Sequence, residues 1–271
     1  PLAHGELGIG KRRALARELK TAQYGQAIVL PRSMKAALLP FFAGIPRRTG
    51  FRGELRYGVI NDRRPFAKAV LDQTVKRFVA LGLEPGEALP ELPVPALTVD
   101  KKNQQRLVAE LQLATDAAVV AMMPGAEFGP AKCWPVGYFA ELAAALHAAG
   151  GEVWVLGSAK EAALGDEIAA GGHARNLCGK TQLADVIDLL AMAQHAVSND
   201  SGLMHMAAAA GCHVIGIYGS TSPGFTPPLT DRQTLHYLDL DCSPCFQREC
   251  PLGHLRCLRD IRPTQVLASI R

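Results

Sequence analysis

Four short stretches of this sequence carry residue types at spacings suited to holding an anion. The first is Asn199-Asp200-Ser201-Gly202-Leu203-Met204-His205, which links a short apolar run to a helix-like one. Asp200 stands where a helix N-cap would, and Ser201 and Gly202 open the helix with backbone N–H groups that lack intrahelical partners. Such an end favours a negative ligand. His205 falls one turn later on the side of Ser201. The plainer alternative is a capped helix with a packed histidine. The second stretch is the loop Pro124-Gly-Ala-Glu-Phe-Gly-Pro-Ala-Lys-Cys-Trp-Pro135. Its small residues Gly125 and Ala126, beside Glu127, let backbone approach a ligand closely. Lys132 sits just before a helix opened by Pro135 and can neutralise a phosphate; otherwise it is a surface lysine on an ordinary Gly/Pro loop. In Gly157-Ser-Ala-Lys-Glu161, the carboxylate of Glu161 lies at a distance past an apolar run that suits ribose hydroxyls, or it merely complements a helix dipole. The hydroxyl-rich run from Gly219 to Pro228 closes the set. Brought to one sheet edge, these stretches read as a diphosphate site.

Other chemistry is excluded or left open. There is no G-x-x-x-x-G-K-[ST] loop and no H-E-x-x-H. Asp239-Leu240-Asp241 is a D-x-D but ends a strand-like run from Leu235, so it reads as strand-end punctuation. Of seven cysteines, Cys133, Cys178 and Cys212 lie among apolar or small residues and read as buried free thiols. Cys242, Cys245, Cys250 and Cys257 are clustered. Their spacing suits a tetrahedral zinc site, or four reduced thiols, with disulfides the less favoured use without a secretion signal.

The elements that must position these groups follow from periodicity. The 271 residues suggest about two domains. From residue 117 onward, continuous apolar strands (117–123, 152–156, 175–178, 195–198, 213–218) alternate with helices (135–149, 159–170, 183–193, 201–210), the pattern of a parallel sheet covered on both faces. Ligands of such sheets bind beyond the strands' carboxyl ends, where all four stretches fall. The first part reads as a helix over 11–22, a strand over 26–30, a helix over 34–42 broken near Pro40, a Gly/Arg-rich strand and loop over 46–57, and a long helix over 65–83 with Val70, Leu71, Val75, Phe78 and Val79 inward. A proline-rich stretch over 84–95 is a linker, and a helix over 100–113 follows. The expected division is 1–95, a partial Rossmann-like domain, and 96–271, a complete one.

Composition narrows the partners. Hydrophobic residues make up 48% and charged ones 20%, enough for a packed core. No apolar run reaches the roughly 18 residues that span a bilayer, and Pro1 to Gly10 has no signal-peptide character. Net charge is +4, but residues 1–65 hold 13 Lys and Arg against 4 Asp and Glu, a net +9, leaving −5 for the rest. A basic first part suits an anionic partner. Nucleic acid is disfavoured, since the arginines lack interleaved aromatics and no reading motif is present.

Taken together, VLPRSMKAALLPFFAGIPRRTGFRGELRYG (within 24–57), PGAEFGPAKCWP (124–135), LGSAKE (156–161), SNDSGLMHMAAA (198–209) and STSPGFTPPL (220–229) resemble the ADP-heptose:lipopolysaccharide heptosyltransferases, over nearly the whole chain. The resemblance implies an α/β fold of GT-B type, with two Rossmann-like domains, the N-terminal one incomplete here, and an active site in the cleft between them. It implies inverting transfer of L-glycero-D-manno-heptose from ADP-heptose to the inner-core heptose of lipopolysaccharide, with no cofactor required. It assigns Lys132 to the donor phosphates as the catalytic cation, and Asp200, Ser201, Gly202 and His205 to the pyrophosphate end. Glu161 is the ribose partner, and Gly125, Ala126 and Glu127 line the pocket. Ser33, Lys35 and Arg52, with Arg47, Arg48 and Arg56, are candidates for acceptor contacts. The implied location is cytoplasmic, peripheral at the anionic inner face of the inner membrane. The family's presumed general base is an Asp on an opening strand and loop. Pro1-Leu-Ala-His-Gly-Glu-Leu reads instead as an internal segment, so the chain as given is expected to bind ADP weakly and to transfer no sugar. Two alternatives stay open: another GT-B transferase with a different nucleotide sugar, and a non-catalytic nucleotide-binding fragment.

Overall fold

The computed structural model describes residues 7–270. The opening segment singled out above lies outside the described residues as far as residue 6. Residue contacts divide the chain into two compact units, one ending at Leu92 and one starting at Pro93.

The first unit runs α1 (Ile9–Thr21), β1 (Gln26–Ile28), α2 (Met34–Phe42), β2 (Arg47–Phe51), β3 (Asp62–Arg64) and α3 (Thr74–Gly82). Its three strands form a parallel sheet in chain order, with Gln26 opposite Arg47 and Thr49 opposite Asp62. Two elements differ from the sequence reading. β3 was not foreseen, because Asp62-Arg63-Arg64 has no apolar pattern. It is held instead by charge: Asp62 accepts from Arg47 (3.1 Å), Thr49 (2.9 Å) and Arg64 (2.9 Å). Burial opposes ionisation of Asp62, but these donors outweigh it and hold the carboxyl below its usual range. The helix expected over 65–83 forms only from Thr74. Phe66 packs edge-on against Phe51 at 5.3 Å and Leu71 is buried beside Leu81, which pulls 65–73 off a helical path. Val70 and Phe78, expected inside, are exposed.

The second unit runs α4 (Lys101–Glu110), β4 (Val119–Met123), α5 (Val136–Ala148), β5 (Glu152–Val155), α6 (Ala162–Ala169), β6 (Arg175–Asn176), α7 (Leu183–Leu190), β7 (His195–Asn199), α8 (Gly202–Ala209), β8 (His213–Ile217), β9 (Gln233–His236), α9 (Arg256–Arg259) and α10 (Pro263–Ala268). All six strands are parallel, in the order β6-β5-β4-β7-β8-β9. The alternation of β4 shows why it is apolar throughout. Val119, Ala121 and Met123 meet α7 and α8 on one face, and Val120 and Met122 meet α5 on the other. Each fully buried side chain of this size contributes about 1.5–3 kcal/mol. The chain leaves β4 in one direction across the sheet and takes up β7 in the other. A crevice therefore opens between β4 and β7, the place where this topology binds ligands.

Two side-chain groups fasten the periphery of this unit. Asp100 caps α4 by accepting from the amides of Lys102 (2.9 Å) and Asn103 (3.2 Å). Asn103 in turn donates to Asp185 (2.9 Å) and Asp188 (2.6 Å) of α7. At the other end, Trp134 Nε1 donates to Ile261 O at 2.9 Å, tying the loop just before α5 to the segment between α9 and α10. No described helix is long and apolar enough to cross a membrane.

Candidate active site

The loops leaving β4 and β7 are bound to each other by Asn199, the last residue of β7, which is wholly buried. Its Nδ2 donates to Pro124 O (2.6 Å), and its Oδ1 accepts from Trp134 N (2.9 Å). One amide thus clamps both ends of the loop that carries Lys132. Nothing in the sequence marked Asn199 apart from its place beside Asp200.

Between these ends, a single 3-10 turn (Pro130–Lys132) aims Lys132 at the start of α8. Its Nζ donates to Asp200 Oδ2 (2.6 Å) and approaches Asp200 O (3.2 Å), with side chains only 14% and 5% exposed. Asp200 Oδ2 also accepts from Thr221 Oγ1 at 2.6 Å. Here the structure corrects the capping assignment. Ser201, not Asp200, occupies the N-cap position, and its hydroxyl makes no cap bond. Asp200 is spent on Lys132 and Thr221. The first amides of α8 are consequently left open to a ligand, with the ammonium held beside them. His205, on the same helix, is in electrostatic reach of both Asp200 and Lys132. Burial pushes its imidazole below the ordinary histidine value, Asp200 opposes this and Lys132 adds to it.

A cavity of about 500 Å³ opens at this corner. Gly125, Ala126, Glu127, Glu161, Ser201 and Gly202 line it, as do Thr181, Leu183, Val186 and Met206, which the sequence reading did not single out. Lys132, Asp200 and His205 do not line it. Glu161 is half committed. Its Oε2 accepts from Ser158 N (2.8 Å) and Ser158 Oγ (2.5 Å), in a capping box on the turn Ala159–Glu161. The side chain lies so close to Gly125 that a Cβ there would meet Glu161 Cγ at 2.8 Å. Glu127 faces Lys160 at 3.6 Å on the open rim.

The first-unit candidates separate by what they already hold. Arg47 is bound by Asp62 and bidentately by Glu84 (3.0 and 2.8 Å). Arg48 donates to Ile45 O and Val59 O. Arg56 is 3% exposed and donates to Pro31 O and Phe51 O. These three serve their own unit. Arg52 lines a second cavity of about 240 Å³ with Gly53, Tyr57 and Arg63; Ser33 and Lys35, at the start of α2, do not. All seven cysteines are unbridged, and Cys133 is half-buried rather than buried. Among the described residues, no three His, Cys, Asp or Glu side chains form a ready metal-holding group.

Parallel sheets, a crevice at the reversal of strand order and a helix start opening onto it define a Rossmann-like α/β protein of the nucleotide-binding class. Residues 12–256 match glycosyltransferase family 9 (heptosyltransferase). The whole chain is 41% identical to lipopolysaccharide heptosyltransferase 2 of Salmonella typhimurium, covering 81% of that protein. It is 42% identical to lipooligosaccharide heptosyltransferase 2 of Haemophilus influenzae, covering 82%. The solved structure of E. coli ADP-heptose lps heptosyltransferase II superposes with a TM-score of 0.84 at 39% identity, over 97% of this chain and 80% of that one. This chain belongs to glycosyltransferase family 9, the heptosyltransferases.

Proposed function

We propose that the site serves the transfer of L-glycero-D-manno-heptose from ADP-heptose to the inner-core heptose of lipopolysaccharide, with residues 96–271 holding the donor and residues 1–95 supplying the acceptor side. The observation that carries this reading is the Lys132 ammonium fixed beside the uncapped start of α8. An ammonium has three protons to donate. Two are directed at Asp200 Oδ2 and O, and the third remains for a phosphate oxygen. When the glycosidic bond to ADP breaks, negative charge grows on the departing phosphate. A preplaced cation and helix amides stabilise that charge more than they stabilise bound donor, which is what accelerates the step. Burial disfavours the charged form of His205, so the cation of this corner is Lys132.

The rest of the donor fits the remaining walls. Leu183, Val186 and Met206 give an apolar slot for a purine, and Thr181 Oγ1, buried without a partner, is available to its polar edge. Glu161 lines the cavity with Oε2 held by Ser158, which leaves Oε1 for the ribose hydroxyls. The basic first unit suits an acceptor bearing carboxylates and phosphates, with Arg52 the candidate on a cavity wall. Action on such an acceptor places the protein in the cytoplasm, at the anionic inner face of the inner membrane.

Calorimetry with ADP, UDP and GDP tests the reading. ADP is expected to bind most tightly, and Lys132→Ala to weaken it at least about tenfold, or 1.4 kcal/mol. Equal affinities for the three nucleotides would favour a transferase of another nucleotide sugar. Unchanged ADP affinity in the variant would remove Lys132 from the site.

A further inference from the structure

The donor reading leaves unexplained the feature directly behind the Lys132 loop. A cavity of about 20 Å³, one ion or one water in size, is lined by Cys242, Cys245, Cys250 and Cys257, with Ala131, Ser220 and His254 completing its wall. The other three cysteines lie elsewhere. His254 is committed to the turn, its Nδ1 accepting from Arg256 N at 3.0 Å, so the groups left to face a guest are four thiols. We propose that Cys242, Cys245, Cys250 and Cys257 bind one thiolate-preferring divalent transition metal, zinc foremost, as a structural clasp behind the donor-phosphate loop.

Two observations support four sulfur ligands here. First, chain positions spread over sixteen residues converge on one small hole, and four is the number a closed structural zinc site uses. Second, the segment that carries them, between β9 and α9, has almost no secondary structure of its own and turns tightly. Gly253 N donates to Cys250 O at 3.0 Å, with Gly253 at φ 70° and Leu255 at φ 51°, the left-handed backbone that a leucine adopts only when its surroundings impose it. The sulfurs do not yet form a ready metal-holding group, so binding requires side-chain rotation around the cavity, with loss of thiol protons to solvent.

The clasp would act on the site because the cysteine loop is fastened to two of the three loops that carry the Lys132–Asp200–Thr221 chain, those of Lys132 and Thr221. Arg248 O accepts from Ala131 N at 3.0 Å, and Gly129, at φ 150°, approaches it so closely that a Cβ would stand 2.6 Å away. Phe246 N donates to Ser220 O (2.7 Å), and Ser243 Oγ donates to Gly219 O (2.6 Å). Arg248 and Lys132 both stack on Phe128. Metal loss would therefore loosen the segments that aim Lys132.

The test is metal analysis of the full chain, purified under reducing conditions, followed by cobalt substitution. The expected result is about one metal ion per chain, with Co²⁺ giving the visible bands of a tetrahedral site and a sulfur-to-cobalt charge-transfer band. Cys250→Ser and Cys245→Ser should lose most of the metal, whereas Cys133→Ser should retain it. Stripping the metal should lower the thermal midpoint by several degrees and raise the Kd for ADP several-fold, and restoring zinc should reverse both. Absence of bound metal together with absence of cobalt bands in reduced wild-type protein would overturn the proposal, as would mass-spectrometric mapping of disulfides among the four cysteines. These wild-type readouts need no variant to fold. They also need no nucleotide, so a failure here is distinct from a failure of the donor assignment.

Discussion

At the scale of single residues, Gly125 and Glu161 make one statement between them. The missing Cβ of Gly125 is what lets the Glu161 side chain lie along the cavity wall. Gly125→Ala should push that carboxylate aside and raise the Kd for ADP about tenfold. Calorimetry checks this, and an unaltered Kd would separate Glu161 from the ribose. His205 permits a second prediction, for stability against pH. Its folded pKa lies below the ordinary 6.5 because burial disfavours the imidazolium. Below about pH 6.5 the unfolded chain takes up a proton that the native histidine refuses, so its contribution is complete at neutral pH and is lost as pH falls toward the folded value. Urea midpoints measured from about pH 7.5 to about pH 5.5 should decline, and His205→Gln should decline less steeply. His195 and His236 are also lowered by burial, so the variant reduces the slope without abolishing it. Much of the site was legible at this scale, because a helix start after an apolar strand, a lysine in a small-residue loop and a strand-end carboxylate each have a spacing. Thr181 and the clamping role of Asn199 were not, and Thr221 was visible only as one member of a hydroxyl-rich run. A hydroxyl or amide that acts through one partner leaves no periodic trace in sequence.

At the scale of elements, the fastening of α4 to α7 rests on Asp188, which is 4% exposed. It accepts from Asp100 N (2.8 Å) and Asn103 Nδ2 (2.6 Å). Asp188→Ala leaves both donors short of a partner and should destabilise the protein by about 2–3 kcal/mol in denaturant titration, with bonds to charged groups counting most. The second unit was readable element by element, since buried parallel strands are continuous apolar runs and their helices are long enough to show a period. The first unit was readable only where local pattern decided. α2 forms over Met34–Phe42 where the apolar run placed it, but it continues through Pro40, where a break was expected. β3 and the non-helical stretch before α3 were hidden, because ion pairs around Asp62 and the packing of Phe66 and Leu71 determine them from a distance.

At the scale of the whole molecule, charge is divided along the chain, +9 over residues 1–65 and −5 over the rest. Long-range attraction of an anionic acceptor should weaken as ionic strength rises and the screening length falls from about 10 Å at 0.1 M salt toward a few Å at 1 M. Equilibrium binding should therefore show the Kd for the acceptor rising with salt more steeply than the Kd for ADP. The donor's phosphates are expected to meet Lys132 at short range, where its 14% exposed side chain is shielded from counterions. Parallel slopes would detach the basic unit from acceptor capture.

The six-stranded sheet ends in β6, two residues long, and β9, four residues long. Brief margins of this kind offer a neighbouring molecule too few free amides and carbonyls to add a rung. Concentrated stocks should thus resist the ladder-like self-association that leads to fibrils, and lengthening either margin by engineering would be the change most apt to bring it on.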